Sequence, residues 1–198
     1  MVRTLALTLA AAFTFTPTLT TAQTPDDERR GVVFADLGYG RILDDEGILG
    51  NGPRISGGAG FRLTSSMTIQ AIIDRISYHR DVEWLTFDGR VYFVGAEAAF
   101  QATRPRIRSY ATIGVGFFDD RGTWIHKTRI GPTQTVADPP TDRKFTLAAT
   151  TASGGIDVRV SERASVRIGV RLHGLLDTGD DLAPHTIFSP GIGAAWRW

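Results

Sequence analysis

The chain contains no cysteine. An exported protein without cysteine has no disulfide framework, so its fold rests on hydrogen bonding and packing alone. Lysine is almost as scarce. Of the 22 basic residues only Lys127 and Lys144 are lysine, and the rest are arginine. A soluble β-protein usually studs its exterior with Lys and Glu, and these strands lack Lys. Charge of neither sign dominates, with 22 basic against 21 acidic residues. A nucleic-acid partner needs a basic excess, and none is present. The four histidines, His79, His126, His173 and His185, include no pair at helical metal-ligand spacing. With no Cys beside them, a zinc site is disfavoured. Beyond the first residues no apolar run reaches the roughly 20 residues that a membrane helix needs.

The N-terminal segment is organised as a secretory signal. Arg3 supplies the positive start, Leu5 to Phe15 the apolar stretch, and Thr20-Thr21-Ala22 small residues before a cut at Gln23. Residues 1–22 are therefore expected to be removed. Residues 23–30, with Asp26-Asp27-Glu28, are polar and aperiodic and form a short periplasmic lead-in. Residues 31–198 are one domain's worth of chain.

What is present in that domain is alternation. Val33, Ala35, Leu37 and Tyr39 share one face of a strand, and Asp36, Gly38 and Gly40 the other. Ile55, Gly57, Ala59, Phe61 and Leu63 alternate in the same way with Ser56, Gly58, Gly60 and Arg62. A third strand begins at Met67, and its alternation blurs after Arg75, which suggests a bulge or a shift of phase. Tyr92 to Gln101, Ile107 to Phe117, Phe145 to Arg159 and Ala164 to His173 continue the series. The last strand, Ser189 to Trp198, sets Pro190, Ile192, Ala194, Trp196 and Trp198 against Gly191, Gly193, Ala195 and Arg197. Long loops are expected at 44–53, 79–88, 119–143 and 177–184, with short turns at 64–66, 102–105 and 161–163.

About eight strands, most of them ten residues or longer, joined by alternately long and short connections, predict an all-β fold. Transmembrane strands need roughly 9 to 11 residues at their tilt. The pattern is that of an eight-stranded antiparallel up-and-down barrel in a bacterial outer membrane, with short periplasmic turns and long outer loops. Ile156-Asp-Val-Arg-Val-Ser-Glu-Arg-Ala-Ser-Val-Arg-Ile168 and Arg106-Ile-Arg-Ser-Tyr-Ala-Thr-Ile-Gly-Val-Gly116 carry a family likeness. They resemble the strands of small Gram-negative outer-membrane barrels of the OmpA/OmpX-like class. Ile192, Ala194, Trp196 and Trp198 are similar to the aromatic-ending signal that barrel-assembly machinery reads in that class. The resemblance covers residues 31–198 and implies an integral cell-envelope protein among lipid and lipopolysaccharide, read here as a monomer. It fixes no activity.

With the apolar face toward lipid, the other face points inward. Its charges are Asp36, Arg62, Asp74, Glu97, Arg108, Asp157, Arg159, Arg167 and Arg171. An eight-stranded barrel is just wide enough for side chains to fill it, so these charges are expected to pair as a lumen network. The interior glycines, such as Gly58, Gly60, Gly114 and Gly116, leave room for bulky lumen neighbours. His185 and Ser189 share a strand face but lie roughly 13 Å apart along it, too far for a nucleophilic pair. No cofactor, metal or enzymatic activity is expected. Acidic residues Asp44, Asp45, Glu46, Asp177, Asp180 and Asp181 are placed at loop tips. Trp124, Ile125 and His126 form an apolar patch that would contact a partner or fold back on the rim. The favoured function is a structural or surface-interaction, adhesin-like role. A narrow porin-like channel for small apolar solutes and a soluble periplasmic lipocalin-like barrel are the alternatives.

Overall fold

The computed structural model describes residues 30–44, 47–83, 85–102, 106–130, 135–176 and 186–198. They form nine strands: β1 (Gly31–Asp44), β2 (Gly47–Arg62), β3 (Met67–Val82), β4 (Leu85–Gln101), β5 (Ile107–Arg129), β6 (Thr135–Ala137), β7 (Thr141–Arg159), β8 (Ala164–Leu175) and β9 (Thr186–Arg197). Each sequential neighbour in the wall is antiparallel. β5 pairs with both β4 and β7, and β1 pairs with both β2 and β9. Eight strands thus close into a barrel, and β6 is a short addition to β5 alone. The ring is sealed by reciprocal bonds, Gly31 N to the Trp198 carbonyl at 3.1 Å and Trp198 N to the Gly31 carbonyl at 3.2 Å. Within the apolar band, among the described residues, closure gives every strand a partner on both sides, which a strand immersed in hydrocarbon requires.

The outward face carries an apolar band. Leu37, Ile55, Ile73, Val94, Ile113, Val115, Phe117 and Ile192 are all largely exposed. Trp196 and Trp198 stand outward near the end that holds the termini, at 46% and 57% exposure. That exposure is the reverse of a soluble barrel's. The lipocalin-like alternative needs the apolar face inside, and the faces exclude it.

Three expected loops are corrected. Two residues separate β1 from β2, and Asn51–Pro53 lie within β2. Gly52 and Pro53 look like turn residues because of what the ladder does there. Pairing with β3 passes from Asn51↔His79 to Arg54↔Ile76, skipping the proline that has no N–H to give. At 79–88, β3 and β4 stay paired up to Val82↔Leu85. At 119–143, β5 runs for 23 residues to Arg129 and β7 begins at Thr141. The β3–β4 register is unbroken across Arg75, so neither a bulge nor a phase shift occurs there. What changes is the solvent. Beyond the apolar band Ile76, Tyr78, Leu85, Phe87, Val91, Phe118 and Trp124 turn inward and are buried, while Arg75, Arg90 and Arg121 turn outward. Strands that are polar-inside within the band become apolar-inside past it.

The paired strands past the band form a crown with its own core. Phe87 packs edge-on against Tyr78 at 4.9 Å between ring centroids, and tilted against Trp124 at 4.4 Å. Gly122 admits this packing, since a Cβ there would lie 2.6 Å from the Phe87 ring. Trp124, expected in an apolar patch that contacts a partner or folds back on the rim, is 7% exposed inside this core. Two ion pairs, Lys127 with Asp81 and Arg129 with Glu83, tie β5 to the end of β3 and the residue that follows it. The acidic tips Asp45, Glu46, Asp177, Asp180 and Asp181, and residues 1–29, lie outside the described residues.

Replacing Phe87 with Ala is expected to destabilise the crown by about 3–5 kcal/mol, the usual effect of emptying an aromatic core site. The result should be faster proteolytic cleavage at 79–88 and 119–143 while the barrel keeps its heat-dependent shift on gels. Unchanged cleavage would show that the crown does not depend on this core.

Candidate functional site

Strand alternation delivers a set of charges to the lumen, where they form two groups. The first is centred on Glu97. Arg171 Nη1 donates to Glu97 Oε1 at 2.7 Å, and Thr151 Oγ1 donates to the same oxygen at 3.1 Å. Gln70 Nε2 donates to Glu97 Oε2 at 2.8 Å. Arg171 also reaches Asp74 at 3.4 Å, Arg54 Nε lies 3.9 Å from Asp74, and His173 Nε2 lies 3.2 Å from it. All of these residues are buried. Phe93 packs tilted on the His173 ring at 4.6 Å and closes this group toward the crown.

The second group lies nearer the termini, around Asp157. Arg197 Nη2 donates to Asp157 Oδ2 at 2.8 Å, Gln101 Nε2 donates at 3.3 Å, and Arg167 stands 3.8 Å away. Arg167 is also held between two rings, 5.0 Å from the centroid of Phe34 and 4.8 Å from that of Tyr110. Asp36 is buried within electrostatic reach of Arg167, Arg54 and Arg171. Arg108 pairs in register with Asp157 and is 9% exposed. Arg62 lines the mouth with Arg30, Arg167 and Arg197. Arg159 differs from the other named residues. Its guanidinium caps the β7–β8 turn, donating to the carbonyls of Ser161 and Glu162 at 3.1 and 3.2 Å.

Arg54, Gln70, Thr151 and His173 join these groups, although their sequence context does not single them out. The even-numbered phase of Ser56 and Gly58, carried back one more step, reaches Arg54. That signal is masked by the apparent turn at Gly52-Pro53. The glycines expected to make room do so. Gly58 faces the Phe34 ring, Gly114 the Glu97 side chain and Gly116 the Phe93 ring, while Tyr110 packs onto Gly169.

Two interior spaces among the described residues are small. The spaces at the terminal mouth and at mid-barrel hold about 10 Å³ each, room for about one water molecule. Ser189 is fully buried on the lumen face, and His185 lies outside the described residues. Among the described residues no cluster of three His, Cys, Asp or Glu has the arrangement of a metal site. In the crown, burial pushes the Asp120 carboxyl up to about 6, against the pull of the Tyr78 hydroxyl that donates to it at 2.7 Å. Protonation of Asp120 therefore favours the folded crown, and this contribution is lost as pH rises through about 6.

Glu97→Ala leaves Arg171 buried without its nearest carboxylate. Breaking a buried pair from one side costs about 3–5 kcal/mol. The expected outcome is a lower thermal unfolding midpoint, measured by circular dichroism in detergent, with no conductance in planar bilayers. A midpoint equal to wild type would count against the network as a structural element.

No family model matches the chain, and no curated protein matches it by sequence. Solved structures do match by shape. Neisserial surface protein A aligns at a TM-score of 0.59 and 18% identity, over 85% of this chain and 97% of the other. A major outer membrane protein from Thermus thermophilus aligns at 0.58 and 9% identity, over 85% and 99%. Ail, the attachment invasion locus protein of Yersinia pestis, aligns at 0.51 and 12% identity, over 85% and 99%. At these identities the likeness is one of fold. With eight antiparallel strands closed on themselves and an apolar band facing out, the fold is the small transmembrane β-barrel of bacterial outer membranes.

Proposed function

We propose that the chain is a closed outer-membrane anchor whose crown presents a rigid surface outside the bilayer, in a structural or adhesin-like role. The observation that carries this reading is the filled interior. Two ion-paired groups occupy the lumen within the band, and an aromatic and aliphatic core occupies it beyond. A channel for apolar solutes would need a path through both, and the interior spaces of about 10 Å³ offer none. The crown supports a display role because its strands stay paired well past the band instead of ending at it. A surface role also fits the company of the fold, which includes the attachment invasion locus protein.

In this reading the Arg, Asp and Glu groups act as a plug that specifies strand register more than it adds net stability. The outward Ile192, Ala194, Trp196 and Trp198 act as the segment that assembly machinery recognises. Residues 1–22 act as the export signal. The folded protein is a monomer surrounded by lipid and lipopolysaccharide, and it carries out no catalysis.

Five measurements test this. The protein should fractionate with the outer membrane and migrate differently on gels when boiled. It should resist extraction by salt or alkali and come out only with detergent. Reconstituted in planar bilayers it should give no discrete conductance, and its vesicles should not take up small apolar solutes faster than protein-free ones. Release without detergent would overturn the membrane reading, and steady conductance or uptake would replace the anchor with a transport role.

A further inference from the structure

Across β3, β4, β5 and β7, an outward basic residue lies within four positions of the end of the apolar band. On β3 the outward series passes from Ile73 to Arg75, and on β4 from Tyr92 to Arg90. On β5 it passes from Phe117 through Asp119 to Arg121, and on β7 from Ala148 through Thr146 to Lys144. Each basic residue lies two to four positions past the last apolar one, which is roughly 7 to 13 Å along a strand. A polar headgroup layer sits at that height above hydrocarbon.

Three of these cations are direct neighbours. Arg90 pairs in register with Arg121, and Arg121 with Lys144. Like charges directly opposite each other on adjacent strands are destabilising. One of the three is partly offset, because Arg121 Nη2 contacts Asp119 Oδ2 at 2.7 Å. The nearby Asp88 and Asp142 sit one row farther from the band and are engaged by His79 and Thr123, respectively. The row borders an open groove of about 850 Å³ on the outer wall of the crown, which Arg75 and Tyr92 also line.

Resting on the membrane reading above, we propose that Arg90, Arg121 and Lys144 bind the phosphate groups of an outer-leaflet glycolipid. Its acyl chains lie along the apolar band below them. An anion relieves the repulsion within the row, and a lipid-borne phosphate meets it at the right height. Arg suits the task because its planar fork takes phosphate oxygens two at a time. The groove gives the sugar portion of such a lipid a concave wall to lie against. The row is outward and exposed, so its removal leaves the lumen and the crown core untouched.

The test uses the full folded protein in detergent micelles, with lipid A carrying two phosphates as the probe and lipid A stripped of phosphate as its partner. Bound lipid is counted by native mass spectrometry across a titration. Wild type is expected to retain the phosphorylated form about tenfold more tightly, a difference well within the reach of two or three charged hydrogen bonds. The variant Arg90→Gln/Arg121→Gln/Lys144→Gln is expected to lose that preference. Arg163→Gln, a change of an exposed arginine in the β7–β8 turn at the opposite end of the barrel, is expected to keep it. The heat-dependent gel shift of each variant reports separately on the barrel, so failure of the fold is distinguishable from failure of the site. Equal retention of both lipids by wild type, or an unchanged preference in a folded triple variant, would overturn the proposal. So would displacement of the lipid by a soluble sulfated saccharide at comparable concentration, which would assign the row to a dissolved polyanion.

Discussion

A strand in hydrocarbon has one place to send its N–H and C=O groups, the strand beside it. That constraint governs the rest of this molecule. It demands closure, and closure by eight strands sets an interior only wide enough for side chains. The lumen must then be filled by whatever the inward alternation delivers. Here it delivers arginines and carboxylates together with glycines. The glycines are as necessary as the charges, since the Glu97 chain lies where a side chain on Gly114 would be. Within the described strands, proline sits outward and where the ladder skips, as at Pro53. The same holds at Pro190, where the β1–β9 pairing passes from Gly38↔Gly191 to Arg41↔Phe188.

The second governing fact is that solvent changes along each strand. Within the band, lipid lies outside and polar groups face in. Past the band, water lies outside and the usual arrangement of a soluble protein returns. The wall is continuous across this boundary, with no break in β3–β4 register. The two halves are filled differently. The band half holds paired charges, and the crown half aromatic packing around Phe87, Tyr78 and Trp124.

This inversion explains what is legible in the sequence. Strand faces such as Val33-Leu37-Tyr39, Ile55-Phe61 and Ile113-Val115-Phe117 are readable because hydropathy alternates with period two, and that pattern specifies the barrel. The terminal strand is readable for the same reason, as is its pairing with β1. The crown is not, because the outward apolar face ends near Arg75, Tyr92 and Phe117. Past those positions the apolar residues are still spaced by two but occupy the opposite face, so continued strands resemble irregular loops. Arg54 and Trp124 escape a sequence reading for related reasons, the first hidden behind a Gly-Pro pair, the second placed in an expected loop that is a strand. The charged lumen positions can be named from phase alone. Their partners Gln70 and Thr151 are ordinary strand residues until the barrel brings β3, β4, β7 and β8 around Glu97.

The seam between Gly31 and Trp198 has a consequence for how the molecule forms. It joins the first strand to the last, so the contact with the greatest separation along the chain completes the ring. Every other wall contact is local to a hairpin or to neighbouring hairpins. No set of hairpins is edge-free until β9 meets β1, and closing a loop of that length carries an entropic cost. A chain lacking its final strand would expose two bare edges at once, one on β1 and one on β8.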